Sequence, residues 1–130
     1  MSSRCVLDAS AVVRLISLDP LAEAWADALA TMPLVLAPEL MLTEVANTLW
    51  KLQKADRLQG IDPQLLLIDA RDLIDQIEPD RHLHQEALAL AMHLDHPVDD
   101  CIYLALARRE AAVLFTADRR LATLAETVLP

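Results

Sequence analysis

The sequence predicts an α/β fold, specifically a three-layer α/β/α sandwich with a small, mostly parallel sheet. Short apolar segments typical of strands alternate along the chain with longer segments of helical periodicity. No hairpin-turn signal joins any two of the strand segments. The composition is 55% hydrophobic but only 3% aromatic, which suits aliphatic helices packed on a small sheet. The length of 130 residues predicts one domain over residues 1–130.

Five short segments are predicted to be strands. The segment 34–37 is apolar throughout and lies between two prolines, as expected of a strand covered on both faces. The segment 113–116 is rich in β-branched and aromatic residues, and it ends just before Asp118. The predicted strands are 5–7, 34–37, 77–79 and 113–116, with an added edge strand at 127–129.

Helices are predicted between these strands from apolar spacing and from end signals. Asp19-Pro20 and Asp62-Pro63 each place a capping acid before a proline suited to the first helical turn. Pro38 is predicted to open a long helix that ends before Gly60. The predicted helices are 9–16, 20–31 (with Leu21, Trp25, Ala28 and Leu29 on one face), 38–58, 63–76, 80–94, 98–109 and 119–125.

The segment 96–107 carries two adjacent acids at the start of a helix. After His96-Pro97, the pair Asp99 and Asp100 precedes seven residues without any charge. A helix that is apolar around most of its circumference is a buried helix, so these acids begin a buried element. Helix capping alone could explain acids in a first turn, and this alternative stays open at this point.

Composition excludes several classes of protein. The chain has one glycine, Gly60, whereas P-loops and dinucleotide-binding loops need several. A net charge of −9 argues against non-specific attraction to nucleic acid, although an anionic substrate could still bind through metal ions. Cys5 and Cys101 form no paired motif, and no signal peptide or membrane span is evident. We therefore expect a cytoplasmic protein that does not bind a membrane.

Four acids from distant parts of the chain are predicted to meet at one edge of the sheet. Asp8 and Asp118 follow strand ends, and Glu44 and Asp100 lie near helix starts on the same edge. Clustered carboxylates repel one another, and Mg²⁺ or Mn²⁺ would accept their oxygens. Such ions make bound water more acidic and favour phosphodiester hydrolysis. The alternative is that these acids are unrelated caps and surface residues.

Four segments, in order along nearly the whole chain, resemble the motifs of the PIN domain, particularly those of the VapC-type toxin ribonucleases. Each motif alone is weak, but four at the family's usual intervals are fairly specific. The four segments are Val6-Leu7-Asp8-Ala9-Ser10, Glu44-Val45-Ala46-Asn47, Asp100-Cys101-Ile102-Tyr103-Leu104-Ala105-Leu106-Ala107 and Thr116-Ala117-Asp118-Arg119-Arg120-Leu121.

The resemblance implies a PIN-like fold and a Mg²⁺- or Mn²⁺-dependent endoribonuclease that acts on RNA. It also implies a homodimer and a small cognate antitoxin protein, as in a type II toxin–antitoxin pair. The implied catalytic and metal-binding residues are Asp8, Glu44, Asp100 and Asp118, with Ser10, Asn47 and Thr116 as supporting polar groups.

The chain departs from the family pattern at Asp99, where an aromatic or small residue is common. Tyr103 follows Asp100 at i+3, as in the family, so Asp100 is the expected ligand. Asp99 is rotated about 100° away and could be a supporting acid, a cap or a surface residue. Arg119 and Arg120 follow Asp118 directly and are candidate contacts for RNA phosphates, with a solvated helix face as the alternative.

The main alternative function is a catalytically inactive PIN-like scaffold that acts as a binding or regulatory module. A dehalogenase-type phosphatase would need a second acid where Ser10 stands, and a receiver domain would need a lysine after Lys54. Histidines and aromatic residues are predicted to have ordinary roles. The histidines are expected at surface or boundary positions and the aromatic residues mainly in the core; these residues are His82, His84, His93, His96, Trp25, Trp50 and Tyr103.

Overall fold

A computed structural model, which describes residues 3–130, contains one sheet of four parallel strands flanked by helices. The two central strands form because most of their residues are apolar and buried on both faces; Cys5, Val6 and Leu7, for example, are fully buried. The strand order is β3-β2-β1-β4, and every neighbouring pair is parallel. The strands are β1 (Arg4–Leu7), β2 (Leu34–Pro38), β3 (Gln76–Glu78) and β4 (Val113–Phe115).

Within residues 3–130, seven α-helices connect and cover the strands, which confirms the predicted three-layer α/β/α fold. Two short 3-10 turns, Pro20–Ala22 and Asp80–His82, precede the second and fifth helices. The helices are α1 (Ala9–Ile16), α2 (Glu23–Ala30), α3 (Leu40–Lys54), α4 (Pro63–Asp72), α5 (His84–Leu94), α6 (Val98–Arg109) and α7 (Arg119–Val128). No helix in the described chain is long and apolar enough to cross a membrane.

Helix α6 is the central helix of the fold, as its uncharged sequence predicts. All seven residues from 101 to 107 are buried. The helix packs against β1, β2 and β4 and against α5 and α7. Because α6 is fixed on all these sides, the residues in its first turn have a fixed position relative to the strand ends.

The predicted boundary at Pro38 is wrong. Pro38 is buried at the end of β2 in register with Glu78, and α3 begins only at Leu40. Helix α3 also ends at Lys54 instead of 58, because the backbone turns into the left-handed region at Asp56.

The predicted helix 63–76 ends early, at Asp72, and Gln76 belongs to β3. The reason is Asp75, which pairs with the sheet through two hydrogen bonds. Its amide donates to the carbonyl oxygen of Val35 at 2.9 Å, and its carboxylate accepts from the amide of Val35 at 2.8 Å. These bonds compete successfully with continuation of the helix.

The predicted edge strand 127–129 is also wrong, because α7 continues to Val128. Leu121 and Ala125 are buried one turn apart and hold the helix against the core. Leu21 is 72% exposed instead of lying on the apolar face of the second helix, because it belongs to a 3-10 turn with a different rotation per residue.

Candidate active site

The site begins where β1 and β4 end side by side. Leu7 is in register with Phe115, and the amide of Asp8 donates to the carbonyl oxygen of Phe115 at 3.2 Å. Asp8 therefore leaves the end of β1 next to Thr116, which follows β4. This arrangement is the one predicted from parallel strands whose carboxyl ends share an edge.

Asp8 is only 5% exposed, and both of its carboxylate oxygens are hydrogen-bonded. Oδ1 accepts from Ser10 Oγ at 2.7 Å and from the amide of Ala11 at 2.9 Å, so Asp8 also caps α1. Oδ2 accepts from the hydroxyl of Thr116. The hydroxyl of Ser10 in turn accepts from the amide of Ala117 at 2.9 Å. Ser10 and Thr116 thus lie beside Asp8, where the sequence predicts supporting groups.

Asp118 lies at the start of α7 and caps it. Its Oδ1 accepts from the amides of Arg120 at 2.9 Å and Leu121 at 3.2 Å. The capping alternative is therefore correct for Asp118, which is nevertheless near enough to raise the pKa of Asp100 by charge repulsion. Asp118 therefore both caps α7 and contributes negative charge to the site.

Glu44 and Asp100 reach the site from α3 and α6. Glu44 accepts a hydrogen bond of 2.5 Å from the hydroxyl of Tyr103, a buried residue one turn beyond Asp100. Asp100 Oδ2 lies 2.8 Å from Nε2 of His96. Each carboxylate is therefore held by a side chain that belongs to α6 or immediately precedes it.

Burial and mutual repulsion raise the pKa values of three of these carboxyls. Removal from water is the largest cause for Asp8, Glu44 and Asp100 alike, and hydrogen-bond donors partly oppose it. Other carboxylates raise the three pKa values further: Asp100 acts on Asp8, Asp8 acts on Glu44, and Asp118 acts on Asp100. Acids from four distant segments are thus close enough for charge repulsion in pairs that include Asp8 with Asp100, Asp8 with Glu44, and Asp118 with Asp100.

The chemistry of these donors fits a divalent hard cation such as Mg²⁺ or Mn²⁺, since all four are carboxylates. The positions of the side chains fit less closely. Within residues 3–130, no group of three His, Cys, Asp or Glu side chains is close enough to form a metal-binding group as it stands. The carboxylates therefore repel one another, but their oxygens do not surround a single point within residues 3–130.

Asp99 is an exposed member of the same acidic region. Its charge raises the pKa values of both Glu44 and Asp100. Helix α6 begins after Pro97 without any side-chain capping bond, so neither acid of the pair is a hydrogen-bonding cap. Both acids still carry negative charge in the first turn, where the helix dipole favours it.

Three other predicted site residues lie on exposed surfaces. Asn47 is on α3 one turn beyond Glu44, and its side-chain amide makes no hydrogen bond within the described chain. Arg119 and Arg120 begin α7, and both are exposed. Their proposed contacts with RNA stay predictions.

The aromatic residues divide between core and surface. Tyr103 is buried, and Trp25 stacks on Phe115 with ring centroids 6.3 Å apart, as core packing predicts. Trp50 is instead 53% exposed, and Nζ of Lys54 lies 4.4 Å from its ring centroid.

His96 is the site residue that sequence reasoning missed. The prediction of surface or boundary positions holds for His82, His84 and His93, which are exposed, but His96 is only 7% exposed. The i to i+4 spacing between His96 and Asp100 was the available signal, because it matches one helical turn.

Comparisons with known proteins agree with the fold. A family model described as PIN domain matches residues 5–127. Among solved structures, the crystal structure of PAE2754 from Pyrobaculum aerophilum is similar with a TM-score of 0.70 and 23% identity, and the match covers 97% of this chain and 82% of that one. At this identity the likeness supports the fold alone. No curated protein matches the chain.

Proposed function

The chain belongs to the PIN domain family, and from this premise we propose that it is a Mg²⁺- or Mn²⁺-dependent endoribonuclease that hydrolyses RNA phosphodiester bonds. PIN domains are typically metal-dependent nucleases. The observation that carries the proposal is that the pKa values of Asp8, Glu44 and Asp100 are raised by burial and by one another's charges, and that Asp118 adds to the shift of Asp100. Carboxylates that repel one another and are partly removed from water are costly unless a cation is shared among them.

In this proposal Asp8, Glu44, Asp100 and Asp118 hold the divalent cation. When bound, such an ion neutralises charge on the phosphodiester and makes a coordinated water more acidic. The protein holds the carboxylates that would bind the ion in fixed orientations. Three donors hold Asp8 in one orientation, and the hydroxyl of Tyr103 fixes one oxygen of Glu44.

Basic side chains at the start of α7 complete the proposed substrate site. Arg119 and Arg120 are exposed directly after Asp118. In this proposal they contact RNA phosphates near the cleaved bond, which would attract the polyanion to an otherwise acidic protein.

We further propose that the protein is the toxin of a type II toxin–antitoxin pair. It would form a homodimer in the cytoplasm and would be inhibited by a small antitoxin protein. The support is the resemblance of the four motifs to those of VapC-type ribonucleases. Cys5 and Cys101 are buried free thiols, which suits a reducing compartment. Co-purification with a small DNA-binding protein encoded beside it would support the pairing, and a solitary gene would oppose it.

Cleavage of RNA by the purified protein tests the nuclease proposal. We expect cleavage with Mg²⁺ or Mn²⁺ and none with a chelator. Asp8→Ala, Asp100→Ala and Asp118→Ala should each lower the rate by roughly a hundredfold or more, because the ion supplies several kcal/mol of transition-state stabilisation. Asp27→Ala, which removes an exposed acid on α2, is the matched control and should leave the rate unchanged.

The alternative is an inactive PIN-like scaffold that binds a partner. The observation that favours it is the lack of a ready-made three-residue metal group within residues 3–130. A folded protein that neither cleaves RNA nor binds a divalent ion would establish this alternative.

A further inference from the structure

We infer that His96 is a positioning residue that orients Asp100 for cation binding. This inference rests on the proposed function, since it assigns His96 a part in the same site. The motif comparison does not include His96, because it lies before the third motif segment. The inference comes from three features of its surroundings: its contact, its burial and its unpaired nitrogen.

Within residues 3–130, the side chain of His96 forms its one hydrogen bond with the side chain of Asp100. Nε2 of His96 lies 2.8 Å from Oδ2 of Asp100, and the His96 side chain is only 4% exposed. An ionised carboxylate can only accept, so Nε2 is the donor in this bond. The bond fixes the position of Oδ2 of Asp100.

The backbone before α6 fixes His96 in place. Asp95 has a left-handed conformation with φ 52°, and the amide of His96 donates to the carbonyl oxygen of Ala91 at 3.2 Å. The carbonyl of His96 accepts a weak contact from Sγ of Cys101 at 3.8 Å. The backbone therefore holds the imidazole in a fixed position, and the hydrogen bond from the imidazole holds Asp100 in turn.

The unpaired nitrogen indicates that the imidazole is not there for stability. Nδ1 of His96 is the one buried side-chain nitrogen or oxygen within residues 3–130 that lacks a hydrogen-bond partner. A buried polar atom without a partner costs free energy, and an apolar side chain of similar volume would avoid that cost. The benefit of histidine here is therefore its bond to Asp100.

The other buried acids of the site are held in the same way. Asp8 has the hydroxyls of Ser10 and Thr116, and Glu44 has the hydroxyl of Tyr103. In the described part of the chain, Asp100 accepts from the side chain of His96 and from no other side chain. Loss of a group that orients a metal ligand typically weakens metal binding by about 10- to 100-fold.

Three substitutions at this position test the inference. In His96→Leu the donor is removed and the volume is kept. In His96→Gln the side-chain amide nitrogen reaches about as far as Nε2, so the donor is retained. His96→Asn is polar but shorter and does not reach Asp100. Mn²⁺ affinity is measured by calorimetry for each variant, and thermal unfolding is measured in the presence of a chelator.

We expect His96→Leu and His96→Asn to bind Mn²⁺ at least about tenfold more weakly than the wild type, with His96→Gln within about threefold of it. Unfolding temperatures in chelator should not follow this order. Equal affinity in all variants, or losses that follow the loss of unfolding temperature, would overturn the inference. If His96→Leu does not fold, the comparison of His96→Asn with His96→Gln decides the question.

The wild type and Asp100→Asn separate this inference from the proposed function. If the wild type binds Mn²⁺ and Asp100→Asn does not, the proposed site stands and the His96 variants test the inference alone. If the wild type does not bind Mn²⁺, the proposed function fails first, and the assignment of His96 fails with it.

Discussion

At the residue scale, the site's carboxylates differ in how strongly the fold holds them. Asp8 accepts from two hydroxyls and a backbone amide, whereas Glu44 and Asp100 each accept from one side chain. The residue types and their order along the chain predicted these four positions. For His96 the i to i+4 spacing to Asp100 was a signal, but its burial could not be predicted, because that burial depends on how α5 and α6 pack against each other.

Asp99 offers a test of the distinction between two neighbouring acids. We predict that Asp99→Asn keeps most of the RNA-cleaving activity, because Asp99 is exposed and acts on Glu44 and Asp100 only through its charge. Asp100→Asn should lower cleavage by roughly a hundredfold or more. Rates for the two variants under the same Mn²⁺ concentration check this. An equally severe loss in Asp99→Asn would reverse the assignment.

At the element scale, helix starts provide both caps and site residues. Asp8 caps α1 and Asp118 caps α7, so two of the site's acids are fixed by the helices that follow the strands. The sequence predicted most elements because their apolar spacing was clear. It failed at Pro38 and at 127–129, where sheet register and core packing decide the boundary instead of local preference.

The two parts played by Asp118 can be separated by substitution. Asp118→Ala should lower the free energy of unfolding by about 1 kcal/mol, because the amides of Arg120 and Leu121 lose their acceptor. Asp118→Asn should keep nearly all of that stability, since asparagine caps helices as well as aspartate does. Denaturant unfolding measures the difference.

Both Asp118 variants should lose cleavage to a similar extent, because both lack the negative charge. Retained cleavage in Asp118→Asn would show that Asp118 is a cap only. A wild-type level of stability in Asp118→Ala would instead show that the cap contributes nothing measurable.

At the scale of the whole molecule, parallel strands place the four acids at one edge. This convergence was predictable, because strands and helices alternate along the chain. The strand order β3-β2-β1-β4 was not, since no short-range pattern specifies which strand neighbours which. The order matters, because β1 lies between β2 and β4 and brings Asp8 next to Thr116.

The raised pKa values predict how overall stability depends on pH without metal. Asp8, Glu44 and Asp100 bind protons more readily when folded than when unfolded, so their ionisation opposes folding. In chelator, the free energy of unfolding should therefore rise as pH falls through these raised pKa values.

Saturating Mn²⁺ should reverse this dependence, because metal binding requires deprotonated ligands. Denaturant unfolding at several pH values, with chelator or with Mn²⁺, measures both trends. In chelator the slope should be smaller for Asp100→Asn than for the wild type. If the free energy of unfolding in chelator instead decreased as pH was lowered, as it does for carboxylates paired with cations, the electrostatic description of the site would be contradicted.

The central claim is that Asp8, Glu44, Asp100 and Asp118 share a divalent cation. Anomalous X-ray scattering from crystals grown or soaked with Mn²⁺ tests it most directly, because the signal locates manganese independently of any activity. We predict an anomalous peak bounded by these four carboxylates, and its loss in crystals of Asp100→Asn. A peak located only elsewhere, or no peak in well-ordered crystals at saturating Mn²⁺, would contradict the claim.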